Sequence, residues 1–252
     1  SVIDQAIQAQ EDALNHSADF NTTWGDDSEI TEPGLLLQGE AITDDTGAQE
    51  FYEKYWEIDS DTVHEYLEEN PDLLTDGYES LHIEDFDQKL GLKTVEGDPI
   101  LVINAPNNLL IIETDGNNYK GKLAIAKEPS QVELTKAKQL GTHGDKIATF
   151  CQDNDAILGI NASGFIDPKG VGNGGKVNGS LVVDGVEYGE HKMAPAWKFV
   201  GLDKKNKLYV VNYKNTDVSD YRWGLEFYPA LIVDGVEAVN EGYCMGIQPR
   251  TT

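Results

Sequence analysis

Positive charge and cysteine are what this chain has least of. Its 252 residues carry 45 Asp and Glu against 19 Lys and Arg, a formal net charge of −26. Without a basic patch there is nothing to release counterions from a phosphate backbone, so nucleic acid is excluded as a partner, and anionic membrane surfaces with it. The shortage is uneven. Residues 1–100 hold 27 acidic residues and three lysines, whereas residues 101–252 hold 18 acidic and 16 basic ones. No apolar run approaches the roughly 18 to 20 residues of a membrane-spanning helix. Nor is there a signal peptide with a charged start and an apolar middle. The sequence opens on Ser1 and not on Met, which raises the expectation of a processed or trimmed chain, with room for a removed signal or anchor upstream. Two cysteines, Cys151 and Cys244, are too few for a disulfide framework or a thiolate metal site, and leave open one disulfide or two free thiols. HExxH, CxxC, GxSxG and EF-hand patterns are all missing, which removes zinc-protease, thiol-redox, α/β-hydrolase and calmodulin-like chemistry.

What is present is enough for a core, since 39% of the residues are hydrophobic. Apolar spacing predicts an amphipathic helix over 2–15, then an acidic linker over 17–50 with one short strand at Leu35 to Leu37. Helices are expected over Ala48 to Trp56 and Ser60 to Glu69, with Asp59, Ser60 and Asp61 as candidate caps and Pro71 just beyond the second. After Asp98 the texture turns to strands. Leu109 to Thr114 and Tyr119 to Lys127 flank Asp115-Gly116-Asn117-Asn118 as a hairpin, and Lys207 to Tyr213 alternates as a further strand. Gly144 to Asp153 reads as a helix feeding a short core strand at Ile157, Leu158 and Ile160. LVVDGVE at 181–187 and LIVDGVE at 231–237 echo each other, as an internal repeat or as two independent Asp-Gly turns. The expected fold is α+β: a mixed, mainly antiparallel sheet with flanking helices, preceded by an acidic, partly helical N-terminal region. Domains are expected at 1–98 and 99–252, the first a solvated spacer whose charge is screened beyond about 8 Å at physiological salt.

Residues 157–187 carry most of the candidate chemistry. Gly170, Gly172, Gly174 and Gly175 allow close backbone approach to a ligand, and successive open amides would form an anion-binding nest. Asn161, Ser163, Asp167, Asn173 and Lys176 are placed to converge on one cavity fit for a phosphate or a sugar. The competing reading is an ordinary surface loop, because neither GxxxxGK[ST] nor GxGxxG order occurs. His143 sits in the Gly-flanked turn LGTHGD and His191 follows the loop at a distance; a solvated or structurally bonded imidazole is the default for each. Arg250, one of only two arginines, offers a planar fork for phosphate or carboxylate.

Several segments in order give the chain a family resemblance: YKGKLAIAKEPSQV at 119–132, LGTHGD at 140–145, AILGINASGFIDPKGVGNGG at 156–175, the LVVDG strand, FYPALIVDGVEA at 227–238 and GIQPRT at 246–251. Over residues 119–252 the chain resembles the phosphodiester glycosidases, the family of the enzyme that uncovers mannose phosphate by removing N-acetylglucosamine. The resemblance implies cleavage of a sugar-1-phosphodiester through an oxocarbenium-like state, in which the departing phosphate needs little protonation. It assigns Asp167, Asn161 and Arg250 to catalysis, with Asp167 a base or charge stabiliser, or else only the cap of its turn. Ser163, Gly172, Asn173, Gly174, Gly175, Lys176 and His143 are assigned to substrate binding. A phosphorylated glycan is the implied partner, and the implied location is extracellular or at the cell surface, with a membrane anchor in the full-length bacterial protein. No cofactor and no defined metal site are expected, only loosely bound Ca²⁺ at the acidic region.

Two departures from the family pattern stand out. Asn161-Ala162-Ser163-Gly164-Phe165 replaces the usual Asn-Gly-Gly before the aromatic, adding a Cβ and a hydroxyl. The family also continues past the PRT motif to a later Asp-Gly-Gly segment of its active site, so the expectation is that a C-terminal fragment or a second chain completes the fold. A non-catalytic carbohydrate-binding or surface-assembly module is the alternative.

Overall fold

The computed structural model describes residues 46–116, 119–170, 172–192, 197–212, 217–233 and 236–239. The chain divides into two units, Ser1–Asp44 and Asp45–Thr252, and every described residue belongs to the second. The helix expected at 2–15, the strand at Leu35 to Leu37 and the 17–45 part of the linker lie outside the described residues. So do Arg250, Cys244 and the GIQPRT segment.

Helix α1 spans Thr46–Lys54 and α2 spans Ser60–Glu69. Asp59 starts α2 from an extended backbone, its carboxylate accepting from the amides of Asp61 at 3.0 Å and Thr62 at 3.4 Å. Pro71 then opens a 3-10 turn, Pro71–Leu74, because a proline fits a first turn and cannot prolong the helix before it. The apolar faces of both helices, with Phe51, Val63 and Leu67, and Tyr55 just past the end of α1, close over Leu81, Ile83, Ile103, Leu110 and Ile112 as one buried cluster.

Leu81 leads into an antiparallel sheet that holds the other four, in the order β1 (His82–Glu84), β2 (Ile100–Asn104), β3 (Leu109–Gly116) and β4 (Tyr119–Ala126). Along β3 the side chains alternate as a strand requires. Leu110 and Ile112 join the helices, while Leu109 and Ile111 join Leu101 and Val102 in a second buried cluster. Pairing of β1 with β2 means that residues on both sides of position 98 share one sheet and one core. Lys127 pairs with Glu57 in a nearly buried ion pair, its ammonium 5.5 Å from the rings of both Tyr55 and Trp56.

Helix α3 covers Ile147–Asp153, shorter at its start than the sequence suggests. The apolar run after it is not the expected core strand: Ile157, Leu158 and Ile160 are exposed and take no strand conformation. Asp155, in the left-handed region at φ 52°, reverses the chain, and the Ala156 amide donates to the Cys151 carbonyl. Gly159 then lies against α3 so closely that a Cβ there would be 2.5 Å from the Cys151 sulfur. The run follows the flank of the helix and leaves its large side chains in solvent. Cys151 itself is half-buried and has no disulfide partner among the described residues.

Two short strands, β5 (Gly164–Phe165) and β6 (Val177–Asn178), pair as a hairpin. Beyond them β7 (Ser180–Val183), β8 (Val186–Gly189), β9 (Lys198–Asp203), β10 (Leu208–Val211) and β11 (Tyr221–Phe227) form a second antiparallel sheet in the order β10-β9-β11-β7-β8. Asp184 and Gly185, both at positive φ, make the tight turn between β7 and β8. Gly201 and Gly224 face each other across β9 and β11, and the fully buried Phe199 ring occupies the space their missing side chains leave. The 3-10 turn Pro129–Gln131 after β4 and the residues that follow it dock on this sheet, where the Trp223 indole donates to the Val132 carbonyl at 2.7 Å. Arg222 reaches the Ser130 carbonyl and Glu133. A last pair, β12 (Ile232–Val233) and β13 (Val236–Glu237), stands as its own two-stranded ribbon. The two Asp-Gly echoes therefore share hairpin form but sit in different sheets. Every strand pair is antiparallel, and the fold is α+β.

Candidate active site

The glycine loop grows out of the β5–β6 hairpin. The Ile166 amide donates to the Lys176 carbonyl at 2.8 Å, continuing the ladder by one rung before the loop opens. Lys169, at φ 62°, bends the 3-10 turn Pro168–Gly170 back on itself. The Asp167 carboxylate then accepts from the Gly172 amide, and a Cβ at Gly172 would stand 2.7 Å from the Asp167 Cα. Asp167 thus caps its own turn.

Asn173 is the hinge between this loop and the LGTHGD turn. Its Nδ2 donates to the Thr142 carbonyl at 2.7 Å, its Oδ1 accepts from the Gly175 amide at 3.1 Å, and its carbonyl accepts from Gly144 at 2.8 Å. The Gly141 amide adds a bond to the Gly175 carbonyl at 2.6 Å. Glycine is required on both sides of the contact. A Cβ at Gly175 would lie 2.5 Å from the Thr142 carbonyl carbon, and one at Gly144 would lie 2.9 Å from the Gly174 carbonyl oxygen. Two loops separated by some thirty residues are locked backbone to backbone, with His143 beside Gly175.

The structure therefore gathers His143, Asp167, Gly172, Asn173, Gly174, Gly175 and Lys176 into one assembly. Asn161 and Ser163 lead into β5, just ahead of Gly164. The open nest anticipated from the glycines is partly closed, because the Gly172 and Gly175 amides donate within the loop. Lys176 is exposed.

Beside β5 stands a group of which only Phe227 and Tyr228 belong to a motif. A Cβ at Gly164 would lie 2.8 Å from the Phe227 ring, which neighbours Trp197 at 5.8 Å and Tyr228 at 5.8 Å between centroids. Glu226, the residue before Phe227, is fully buried, and its Oε1 lies 2.8 Å from His191 Nδ1. The available signal was the alternation of β11, which puts Glu226 on the buried side with Gly224. Among the described residues no group of three or more His, Cys, Asp or Glu side chains could hold a metal ion. Among the same residues no helix is long and apolar enough to cross a membrane.

The described residues thus form an antiparallel α+β domain in which two glycine turns interlock. Residues 154–252 match the family model of the phosphodiester glycosidases. This is the family that the motifs resemble, and the matched range takes in the 156–175 segment, the LVVDG strand, FYPALIVDGVEA and GIQPRT. The LGTHGD turn, which the structure joins to the glycine loop, precedes it. No curated protein and no solved structure matches the chain. At the level of the family, the reading is a hydrolase of the phosphodiester glycosidase type.

Proposed function

We propose that the protein cleaves a sugar-1-phosphodiester, either an N-acetylglucosamine phosphodiester or a phosphodiester-linked glycan of the cell surface. The family match supports the class of reaction. The observation that supports this site is the lock between the two glycine turns through Asn173, which ties together the backbone next to His143 and Lys176. A rigid backbone frame is what electrostatic stabilisation of a transition state requires, since preformed groups cost no reorganisation during reaction. In this proposal Asn161 bonds a sugar hydroxyl or acetamide, and Ser163 narrows the space beside it. With two loop amides engaged internally, the phosphate falls to Arg250 and Lys176, with the amides of Asn173 and Gly174 beside them. Asp167 stabilises positive charge at the anomeric carbon, and an extracellular setting at the cell surface suits a glycan substrate.

Hydrolysis of a chromogenic N-acetylglucosamine phosphodiester is the test, with Asn161→Ala and Arg250→Ala alongside. Loss of turnover by about 10²-fold or more in both variants is expected for groups that act on the transition state. If both variants leave kcat untouched, the site is wrong. One observation favours the alternative of a carbohydrate-binding module: Asp167 already spends an oxygen on the Gly172 amide. Glycan binding with no turnover of any phosphodiester would establish that alternative.

A further inference from the structure

We infer that Glu226 is a positioning residue, which fixes His191 with its proton on Nδ1 and so makes Nε2 the proton-accepting atom. Glu226 lies on β11 with no exposed surface, yet two backbone amides donate to its carboxylate and the His191 ring stands against it. Oε2 accepts from the amide of Ser180, at the start of β7, at 3.2 Å, and from the amide of Lys192 at 2.8 Å. Oε1 faces His191 Nδ1 at 2.8 Å. A buried carboxylate left without partners is costly, and an ionised one only accepts hydrogen bonds. Nδ1 must therefore carry a proton, and in the neutral ring the lone pair then belongs to Nε2. The same logic orients histidines whose second nitrogen does chemistry.

Position links this pair to the candidate site. Ser180 follows Asn178 by two residues, and Asn178 pairs with Gly164 in the β5–β6 hairpin. Phe227, next to Glu226, packs on the same Gly164. The His191 side chain is 21% exposed, buried at its Nδ1 side and reachable from solvent. We assign it the handling of a proton at the phosphodiester, a role that rests on the function proposed above; the tautomer does not.

The test is two-bond ¹H–¹⁵N spectroscopy of the imidazoles in the ¹⁵N-labelled full chain, wild type and Glu226→Gln. In wild type His191 is expected with Nδ1 protonated. The glutamine oxygen can still serve the Ser180 and Lys192 amides, but its NH₂ then points at Nδ1, which must become the acceptor. The proton is therefore expected to move to Nε2. A wild-type His191 protonated on Nε2 alone overturns the inference even if the variant fails to fold, and so does an unchanged tautomer in a folded variant. Turnover of a methyl N-acetylglucosamine-1-phosphodiester separates the two claims. His191→Gln is expected to lower kcat by about 10²-fold or more with KM little changed, as for loss of a proton-transfer group. If wild type turns the diester over and His191→Gln does so equally well, the assigned role falls. If wild type never turns it over while the tautomer inverts as expected, the proposed function fails and the positioning stands.

Discussion

At the scale of single residues, function and packing compete for the same polar groups. Asn173 resembles a ligand-reading residue in a glycine-rich loop, but both ends of its amide are engaged, one joining the loop to Thr142 and the other bracing it at Gly175. Asn173→Ala should therefore lower stability by about 1 to 3 kcal/mol, as removal of one partner leaves others unsatisfied. A chemical-denaturation midpoint measures this loss. Tyr55 gives a second prediction. Burial, with the Glu57 charge adding to it, pushes its phenol up to about 12. The unfolded chain ionises this group near its ordinary value of about 10, so between those values the unfolded state has lost a proton that the folded state keeps. The stabilisation is complete below about pH 10 and is lost as pH rises toward the folded value. Burial raises the Tyr52 phenol as well, which steepens the alkaline fall. Tyr55→Phe should flatten part of that fall when denaturation midpoints are compared at about pH 8 and about pH 11. It should cost little at neutral pH, because the Tyr55 hydroxyl is buried without a hydrogen-bond partner among the described residues.

At the scale of elements, local chemistry sets where helices and turns begin. Replacing Asp59 by Ala removes the cap of α2 and should cost about 1 kcal/mol, measured as a fall in thermal midpoint. The turn between β9 and β10 depends on Asp203, whose side chain accepts from the Lys205 and Lys207 amides. The bond from Lys207 leads in holding that carboxyl below its ordinary range. In the five-stranded sheet the Gly201 and Gly224 pair is the sensitive point. A Cβ at Gly224 would sit 2.1 Å from the Phe199 ring, so Gly224→Ala should destabilise by about 1 to 3 kcal/mol through overpacking. Gly224→Ala combined with Phe199→Leu should recover part of the loss, a coupling that a double-mutant cycle reads directly.

At the scale of the whole molecule, charge dominates. A net charge of −26 repels itself in any compact state, and added salt screens that repulsion. The thermal midpoint should rise when ionic strength goes from about 0.01 M to about 0.15 M. A flat response would mean that the acidic residues are spread too widely for their repulsion to matter.

The sequence by itself determined the antiparallel α+β class, the α2 helix with three candidate caps of which Asp59 is the one used, and the hairpins around 109–126 and 181–187. These rest on local rules: period-two alternation, capping side chains and glycine in turns, all readable over a few residues. The family resemblance was legible as well, because ordered motifs survive in the linear text and those from residue 156 onward fall within the matched range. Tertiary structure decided what distant segments do to one another. The apolar run at Ile157 to Ile160 reads as a strand but follows α3, because helix contacts through Gly159 outweigh local propensity. The union of the 141–144 and 172–175 turns depends on glycines having no side chain at a contact no spacing reveals. Glu226 looks like one more acid in an acidic chain until the fold withdraws it from water and sets two backbone amides and the His191 ring against it. Burial and approach are properties of the packed molecule, and they decide which of many similar polar residues are in a position to act.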